Sequence, residues 1–295
     1  MTYSIVARDP ATGELGVAVQ TRWPFVGETV PWAEPGVGAV ATQSFAEKRY
    51  GPLGLERMRA GASAPEALAA LLAEDDDREV RQVGMVDGRG RSASFTGSRC
   101  VFAAGHVTAD GVAIQANMME RPSVWPAMAD AFGRASGDLA HRLVSALRAA
   151  ESEGGDVRGR QSAALVVVPA DGPAWARRFD VRVDDHPAPL DELERLLRVA
   201  RAYEAFDRAD APSLAGDFAA AAAAMEEAHA LAPDDDQITL WTALMVGGNG
   251  DMDRARRLFG MAGVAEPRSA EHLRRFLAKG HLPDSLAAVI EELED

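Results

Sequence analysis

The pattern of hydrophobic and polar residues divides the chain into two parts. In the first part, short alternating or continuously apolar runs are separated by turn residues, and such runs predict β-strands. Turn sequences such as Asp9-Pro10-Ala11-Thr12-Gly13 and Asp87-Gly88-Arg89-Gly90 join neighbouring runs into hairpins. The predicted strands are Thr2–Ala7, Leu15–Thr21, Gly36–Gln43, Val80–Val86, Arg91–Thr96, Arg99–Ala103, Val112–Asn117, Ser162–Val168 and Arg177–Val183.

Helices are predicted in two pairs between these strands. Pro52 suits the first turn of one helix, and Ser63-Ala64-Pro65-Glu66 forms a capping box at the start of the next. Apolar positions at helical spacing return over residues 123–132 and again over residues 139–150. An order of strands, two helices, strands, two helices and strands predicts an α+β fold, and not a regular βαβ alternation.

The residue pattern after Pro187 predicts almost only helices, and this part of the chain contains an internal repeat. Gly216-Asp217 recurs as Gly250-Asp251, 34 residues later, which is the period of the tetratricopeptide repeat (TPR). Three further pairs share this spacing: Ala221 with Ala255, Ala228 with Ala262, and Pro233 with Pro267. Only about one and a half to two repeats fit in this region, and so few repeats cannot form a free-standing solenoid. We therefore predict a domain at 1–187 and a small all-α, TPR-like region at 188–295 that leans on this domain or on another subunit.

Charge and hydropathy argue against two classes of partner. The chain of 295 residues carries a net charge of −14 and has no basic run. Nucleic acids and anionic membranes bind clustered lysines and arginines, so we expect neither as a partner. No apolar stretch approaches the roughly 20 residues that span a bilayer. The N-terminal segment also lacks the pattern of a signal peptide, so we expect a cytoplasmic protein.

The candidate metal ligands are few and scattered. A single cysteine, Cys100, allows neither an intramolecular disulfide nor a cysteine-based zinc site. The six histidines do not cluster in the sequence, and no H-E-x-x-H, phosphate-loop or G-x-S-x-G motif occurs. We therefore expect no metal and no cofactor.

Thr2 is the first candidate for chemistry. Methionine ahead of a small residue is usually removed after synthesis, which would leave Thr2 with a free α-amine. An α-amine has a pKa of about 7.7–8.0, so near neutrality part of it is unprotonated and can take the proton of the adjacent hydroxyl. One residue then serves as nucleophile and base. The alternative is that Thr2 is an ordinary β-branched strand residue.

A series of short motifs runs through residues 2–187 in a fixed order. They are Thr2–Asp9, Val30–Ala33, Gly36–Gln43, Tyr50–Pro52, Arg81–Gly84, Phe95–Gly97, Ala104–His106, Gln115 with Asn117-Met118, Gly154–Gly159, Gln161–Ala164 and Arg182–Pro187. The series resembles an uncharacterised bacterial family of the N-terminal-nucleophile (Ntn) hydrolase superfamily, catalogued as a domain of unknown function. The helical extension is similar to one found in some members.

This resemblance implies a fold and a reaction. The fold is a four-layer αββα Ntn-hydrolase-like sandwich, in which two antiparallel sheets lie between helical layers. The N-terminal residue lies in the cleft between the sheets, and the typical reaction is amide hydrolysis. The acidic domain with a single cleft favours a small-molecule substrate.

Amide hydrolysis needs donors for the developing oxyanion and groups that polarise the terminal amine. The amide of Asn117 either donates to the oxyanion or closes the turn before Pro122. Related enzymes place an aspartate and a serine near the terminal amine at a comparable point in the fold, and Asp156 and Ser162 resemble that pair. The alternative is that Asp156 only tightens its Gly-rich turn by pairing with Arg158.

Basic residues near the nucleophile depart from the pattern of proteasome-like members. Arg22 follows the second strand, where those members keep a basic residue. Their third strand supplies a lysine, whereas this one offers Thr42, Gln43 and Ser44. Lowering the pKa of the threonine would therefore fall to Arg22 or Lys48, or is not done in the proteasome manner. Gln43 is predicted to contact the substrate or the oxyanion. Three further residues are predicted to bind substrate, namely Arg22, Arg158 and Gln161.

The leading hypothesis is a hydrolase that cleaves an amide or other C–N bond of a small molecule through an acyl-enzyme on Thr2, with Asn117, Asp156 and Ser162 as catalytic partners. One alternative is a catalytically inactive binding or scaffolding protein whose TPR-like tail mediates protein contacts. Another is a hydrolase acting on a larger amide, such as a peptide. The helical tail is also the candidate interface for a homo-oligomer.

Overall fold

A computed structural model describes residues 2–265 and 268–294, without the side chains of Val264, Ala265 and Glu294. The chain divides into two compact units, Met1–Arg195 and Leu196–Asp295. The first unit contains the strands and four helices within its described residues, and the second is helical.

Within residues 2–195 the strands form two antiparallel sheets. The larger sheet has the strand order β10-β9-β2-β1-β8-β7, and the smaller one has the order β3-β4-β5-β6. The strands are β1 (Thr2–Arg8), β2 (Leu15–Thr21), β3 (Pro31–Glu34), β4 (Gly38–Ser44), β5 (Arg81–Asp87), β6 (Ser92–Thr96), β7 (Gly105–Ala109), β8 (Val112–Asn117), β9 (Ser162–Val168) and β10 (Phe179–Val183).

Helices cover the outer faces of both sheets. Helices α1 (Tyr50–Arg59) and α2 (Ala64–Ala73) pack against the smaller sheet, and α3 (Val124–Arg134) and α4 (Leu139–Ser152) pack against the larger one. The inner faces of the sheets meet through β1 with β4 and β2 with β3. This arrangement explains why β1 and β2 are apolar on both faces, because each is covered by helices on one side and by the second sheet on the other. The prediction of an α+β fold with antiparallel sheets is confirmed.

The second unit has its own hydrophobic core, built mostly from alanine, leucine and methionine. Helix α5 (Pro189–Asp207) contains the boundary between the units. The following helices are α6 (Asp210–Leu214), α7 (Phe218–Leu231), α8 (Asp236–Gly248), α9 (Met252–Ala265), α10 (Ser269–Ala278) and α11 (Ala287–Glu294).

The recurring Gly-Asp pairs stand at equivalent turns of this unit. Gly216 and Gly250 have φ angles of +76° and +96°, a left-handed conformation that glycine adopts without steric cost at a helix end. The aspartate after each glycine caps the next helix. Asp217 accepts a hydrogen bond from Ala220 N at 3.0 Å, and Asp251 accepts one from Arg254 N at 3.1 Å. Pro267, the last member of the repeat, lies outside the described residues.

One strand prediction was wrong, and two short strands, β3 and β7, were not predicted. Residues Arg99–Ala103 do not form a strand. The edge strand beside β8 is β7, which begins five residues after Cys100. Phe102 in this run is 82% exposed, so its apolar residues do not mark a buried strand. The short strand β3 was not predicted, because four residues starting with Pro31 are too few to show a period.

Within the described part of the chain, no helix combines the length and the hydrophobicity that crossing a membrane requires.

Candidate active site

The first residue of β1 lies at one end of the two-sheet core. Thr2 is paired with Thr21, the last residue of β2, and with Asn117, the last residue of β8. A cavity of about 420 Å³ lies at this end, and these three residues line it together with Gln43 from the smaller sheet and Arg158. The antiparallel register therefore brings one residue from each neighbouring strand to the same cavity.

Thr2 is held by contacts on its side chain and its carbonyl group. Its hydroxyl donates to Thr21 Oγ1 at 3.2 Å, and the residue is 5% exposed. Its carbonyl oxygen accepts hydrogen bonds from Gln43 Nε2 at 3.1 Å and from Asn117 Nδ2 at 3.3 Å. These bonds fix the position of the backbone that carries the hydroxyl and, in a chain beginning at Thr2, the amine.

A buried network of amides lies beneath Thr2, and Gln82 is at its centre. Gln82 Oε1 accepts hydrogen bonds from Gln43 Nε2 and from Asn117 Nδ2, both at 2.8 Å. Gln82 Nε2 donates to Thr96 Oγ1 and to Ala116 O, both at 2.9 Å. Sequence reasoning missed Gln82. The available signal was a polar residue inside an otherwise apolar strand, directly opposite Gln43 in the β4–β5 pairing.

Gln43 and Asn117 adjoin Thr2, but their amide groups are bonded within the protein. Gln43 Nε2 contacts the carbonyl oxygens of Thr2 and Gln115 as well as Gln82, and Gln43 Oε1 accepts from Ser4 Oγ at 2.7 Å. Asn117 Nδ2 donates one hydrogen to Thr2 O and the other to Gln82 Oε1. In this structure both side chains hold Thr2 in place.

The network ends at His106. Because Thr96 Oγ1 accepts from Gln82, its own hydrogen is available for His106 Nδ1, which lies 2.8 Å away. Burial lowers the pKa of His106 below its ordinary value by disfavouring the charged ring. A neutral imidazole with Nδ1 as the acceptor fits both facts.

Asp156 and Arg158 form an ion pair at the side of the cavity. The side chain of Asp156 is fully buried, and its Oδ2 lies 2.9 Å from Arg158 Nη2. The same carboxylate accepts from the backbone N–H of Arg158 at 3.0 Å and from that of Arg22 at 3.1 Å. Asp156 thus joins the Gly-rich turn to the residue that follows Thr21, and Arg158 presents a partly exposed guanidinium to the cavity.

Three predicted site residues, Ser162, Arg22 and Gln161, are not among the described residues that line the cavity. Ser162 Oγ donates to Trp23 O at 2.5 Å and accepts from Val26 N at 3.3 Å, which anchors the segment after β2. The guanidinium of Arg22 donates to Gln161 Oε1, and Gln161 Nε2 donates to Asp185 Oδ1 at 3.0 Å.

Lys48, the other candidate for acidifying the threonine, is held at the surface. Its Nζ lies 3.0 Å from Glu28 Oε1, and both side chains are at least half exposed. Lys48 is likewise outside the set of described residues lining the cavity.

Unusual backbone conformations cluster around the cavity. Among the described residues other than glycine, positive φ angles occur at Phe25 (+59°), Ser44 (+72°) and Met118 (+56°). Ser44 and Met118 line the cavity, and Phe25 precedes Val26, which also lines it. Each such residue costs about 1–2 kcal/mol. Strain of this kind concentrates at functional sites, so it supports this cavity as the site.

Apolar side chains stand exposed at the cavity. Trp23, Phe45 and Val101 line it and are 68%, 61% and 40% exposed. Among the described residues, no group of three or more histidine, cysteine, aspartate or glutamate side chains is placed to hold a metal ion.

Comparison with known proteins gives the family. A family model described as a family of unknown function, DUF1028, matches residues 2–193. A crystal structure of a DUF1028 protein from Silicibacter pomeroyi is 33% identical with a TM-score of 0.62, covering 68% of this chain and 88% of that one.

A second solved structure, Anbu (ancestral beta-subunit) from Yersinia bercovieri, is 14% identical with a TM-score of 0.34, covering 66% of this chain and 92% of that one. That similarity is too low to inform function. No curated protein matches the chain. The family match over most of the chain and the Silicibacter relative together establish that this protein belongs to the DUF1028 family.

Proposed function

We propose that this protein is an N-terminal-nucleophile hydrolase that cleaves the amide or another C–N bond of a small molecule, with Thr2 as the nucleophile. One observation carries the proposal. Thr2 lines a cavity of about 420 Å³ while its carbonyl oxygen is fixed by Gln43 and Asn117. The motif series over residues 2–187, which resembles the Ntn-hydrolase superfamily, supports the same reaction.

The reaction needs a chain that begins at Thr2. Its free amine accepts the proton of Oγ1, and Oγ1 attacks the carbonyl carbon of the substrate. The C–N bond then breaks, and the leaving nitrogen takes the proton from the ammonium group. The acyl group remains as an ester on Thr2, and a water molecule activated by the same amine releases the acid.

The oxyanion donor in this proposal is a backbone group. The amides of Gln43 and Asn117 are already bonded to the protein. Ala46 lines the cavity just after β4, and its N–H has no acceptor among the described residues. A backbone N–H without a protein partner is available to a developing negative charge. We assign this role to Ala46 N.

The size of the cavity favours a small substrate over a peptide. Pockets for small molecules measure about 300–1,000 Å³, and a volume of about 420 Å³ lies at the lower end of that range. Such a volume accommodates one acyl group beside the scissile bond.

The test combines mass spectrometry with an amide screen. The protein, produced without an N-terminal tag, should have an intact mass lacking Met1. In the screen, Thr2→Ala should lower kcat/KM by at least about 10³-fold, because removal of a nucleophile abolishes the covalent route. Thr2→Ser should retain measurable activity.

The matched control is Thr108→Ala, which removes a hydroxyl bonded to Ser94 on an exposed stretch of β7. It should leave kcat/KM unchanged. Retention of Met1 in an active protein, or equal activity of Thr2→Ala and the unaltered protein, would refute the mechanism.

A second candidate function is binding by the helical unit. The observation that favours it is a cavity of about 610 Å³ in that unit, with walls that include Phe206, Trp241 and Phe276. A strain encoding Thr2→Ala at the native locus separates the two candidates. A phenotype equal to that of the gene deletion supports hydrolysis, and a phenotype equal to that of the unaltered strain supports binding alone.

A further inference from the structure

We propose that the cavity beside Thr2 is an acyl pocket for an uncharged, apolar acyl group. This inference rests on the proposed function, since it identifies the substrate half that the acyl-enzyme would retain. It concerns the walls of the cavity, whereas the proposed reaction concerns its nucleophile.

Away from the polar contacts of Thr2, most of the surface that lines the cavity is apolar. Val26 and Val30, from the segment between β2 and β3, line the cavity and are only 4% and 3% exposed. Met118 follows Asn117 at the end of β8, and Val101 lies in the loop before β7. A cavity with such walls gains about 0.8 kcal/mol for each methylene group that leaves water and enters it.

The charge in the cavity is already neutralised. Apart from the α-amine of Thr2, which must be neutral to act as the base, Arg158 carries the only charge among the described residues that line the cavity. Its Nε and Nη2 lie 3.1 and 2.9 Å from the two oxygens of the buried Asp156 carboxylate. An anionic acyl group would therefore lose its hydration while competing with Asp156 for the guanidinium, and a cationic one would meet an arginine. A neutral acyl group avoids both costs.

The exposed apolar side chains extend the pocket outwards. Trp23 and Phe45 line the cavity while remaining more than half exposed, so a chain longer than the deep part of the cavity would cover them. Ser44 and Met118, which also line the cavity, have positive φ angles, a backbone conformation that residues in extended strands do not adopt. Trp23 and Phe45 line the same cavity as Thr2.

The first experiment measures binding without hydrolysis. Straight-chain primary amides from butanamide to octanamide are titrated into Thr2→Ala protein by calorimetry. The dissociation constant should fall about fourfold for each added methylene, which corresponds to the transfer of one CH₂ out of water. A chain of equal length ending in a carboxylate should bind at least about tenfold more weakly than the neutral amide, because its charge would be buried.

Two exposed tryptophans provide a matched pair of variants. Trp23→Ala should weaken octanamide binding about tenfold, because it removes an aromatic wall. Trp175→Ala is the control, since Trp175 is 80% exposed and is not among the described residues lining the cavity. It should leave the dissociation constant unchanged.

The outcomes separate this inference from the proposed reaction. If affinity rises with chain length but the unaltered protein hydrolyses no amide, the proposed hydrolase is refuted and the acyl pocket is supported. Hydrolysis of amides with affinity independent of length, or equal for neutral and anionic chains, would refute the pocket and support the hydrolase. Absence of binding combined with a dimer that Trp23→Ala dissociates would show that a second copy of the chain covers the rim, which also overturns the pocket.

Discussion

Asp156 shows how one buried side chain fixes the geometry of the candidate site. Its carboxylate accepts the backbone N–H of Arg22 and both the backbone and the guanidinium of Arg158, and it is fully buried. Hydrogen bonds to an ionised carboxylate are stronger than those between neutral groups. The carboxylate therefore joins the chain after Thr21 to the Gly-rich turn. The pairing of Asp156 with Arg158 is the arrangement expected if Asp156 tightens the Gly-rich turn, and its catalytic role near the terminal amine stays a prediction.

Asp156→Ala should lower the free energy of unfolding by about 3 kcal/mol. The change leaves the Arg158 charge without its buried partner, and breaking a buried pair costs about 3–5 kcal/mol. We expect the lower end, because the Arg158 side chain is 28% exposed and water can partly solvate it. Urea unfolding measures the difference. Asp171→Ala, at an exposed turn position, is the control and should change the free energy by less than about 0.5 kcal/mol. A loss below 1 kcal/mol for Asp156→Ala would contradict this account.

At the scale of elements, hydrophobic periodicity predicted most strands but not their partners. β1, β2 and β9 were predicted within a residue or two, because their buried runs are continuous. The run around Phe102 has the same composition, yet it lies exposed near the cavity rather than in a sheet. A single sequence cannot distinguish an apolar run that is buried by its own chain from one exposed beside a cavity.

The candidate site was predictable only in part for a related reason. Thr2 was proposed from its position and the family resemblance, Asn117 from its amide at the end of a strand, and Asp156 from the resemblance. The bonds of the buried amides depend on the register between β4, β5 and β8, which the sequence does not specify. Gln82 therefore went unnoticed, and Gln43 was expected to face the substrate, although its amide is bonded to Thr2, Gln82 and Gln115.

Gln82→Leu tests whether the amide network is a single element joining the two sheets. The change keeps a similar side-chain volume but removes the acceptor that Gln43 and Asn117 share. One amide hydrogen of Asn117 then has no partner, whereas Gln43 Nε2 keeps the carbonyl oxygens of Thr2 and Gln115. A buried donor without a partner costs about 1–3 kcal/mol, so we expect a loss of about 2 kcal/mol in the free energy of unfolding. Gln237→Leu, which removes an amide in α8, is the control and should change stability by less than 1 kcal/mol. Equal effects of the two variants would show that the network contributes nothing specific.

At the scale of the whole molecule, the chain has separate hydrophobic cores. One core lies between the two sheets, another lies between the smaller sheet and its helices, and a third lies within residues 202–293. Much of the third core is alanine, including Ala221, Ala228 and Ala255, and a small side chain buries little apolar surface. The stability of the helical unit should therefore depend strongly on its helix caps.

Removal of the repeated caps should loosen residues 196–295 without loosening residues 2–195. Asp217→Ala and Asp251→Ala each delete a side-chain acceptor at a helix start, which costs about 1 kcal/mol. Hydrogen exchange should then show about fivefold lower protection for core amides of the helical unit in each variant, and unchanged protection for β1 and β2. Asp253→Ala is the control, because it removes a charge from the first turn of α9 without removing the cap. Its effect should be less than half that of Asp251→Ala, since the charge alone interacts only with the helix dipole. An equal loss of protection in β1 and β2 would instead show that the two units unfold as one.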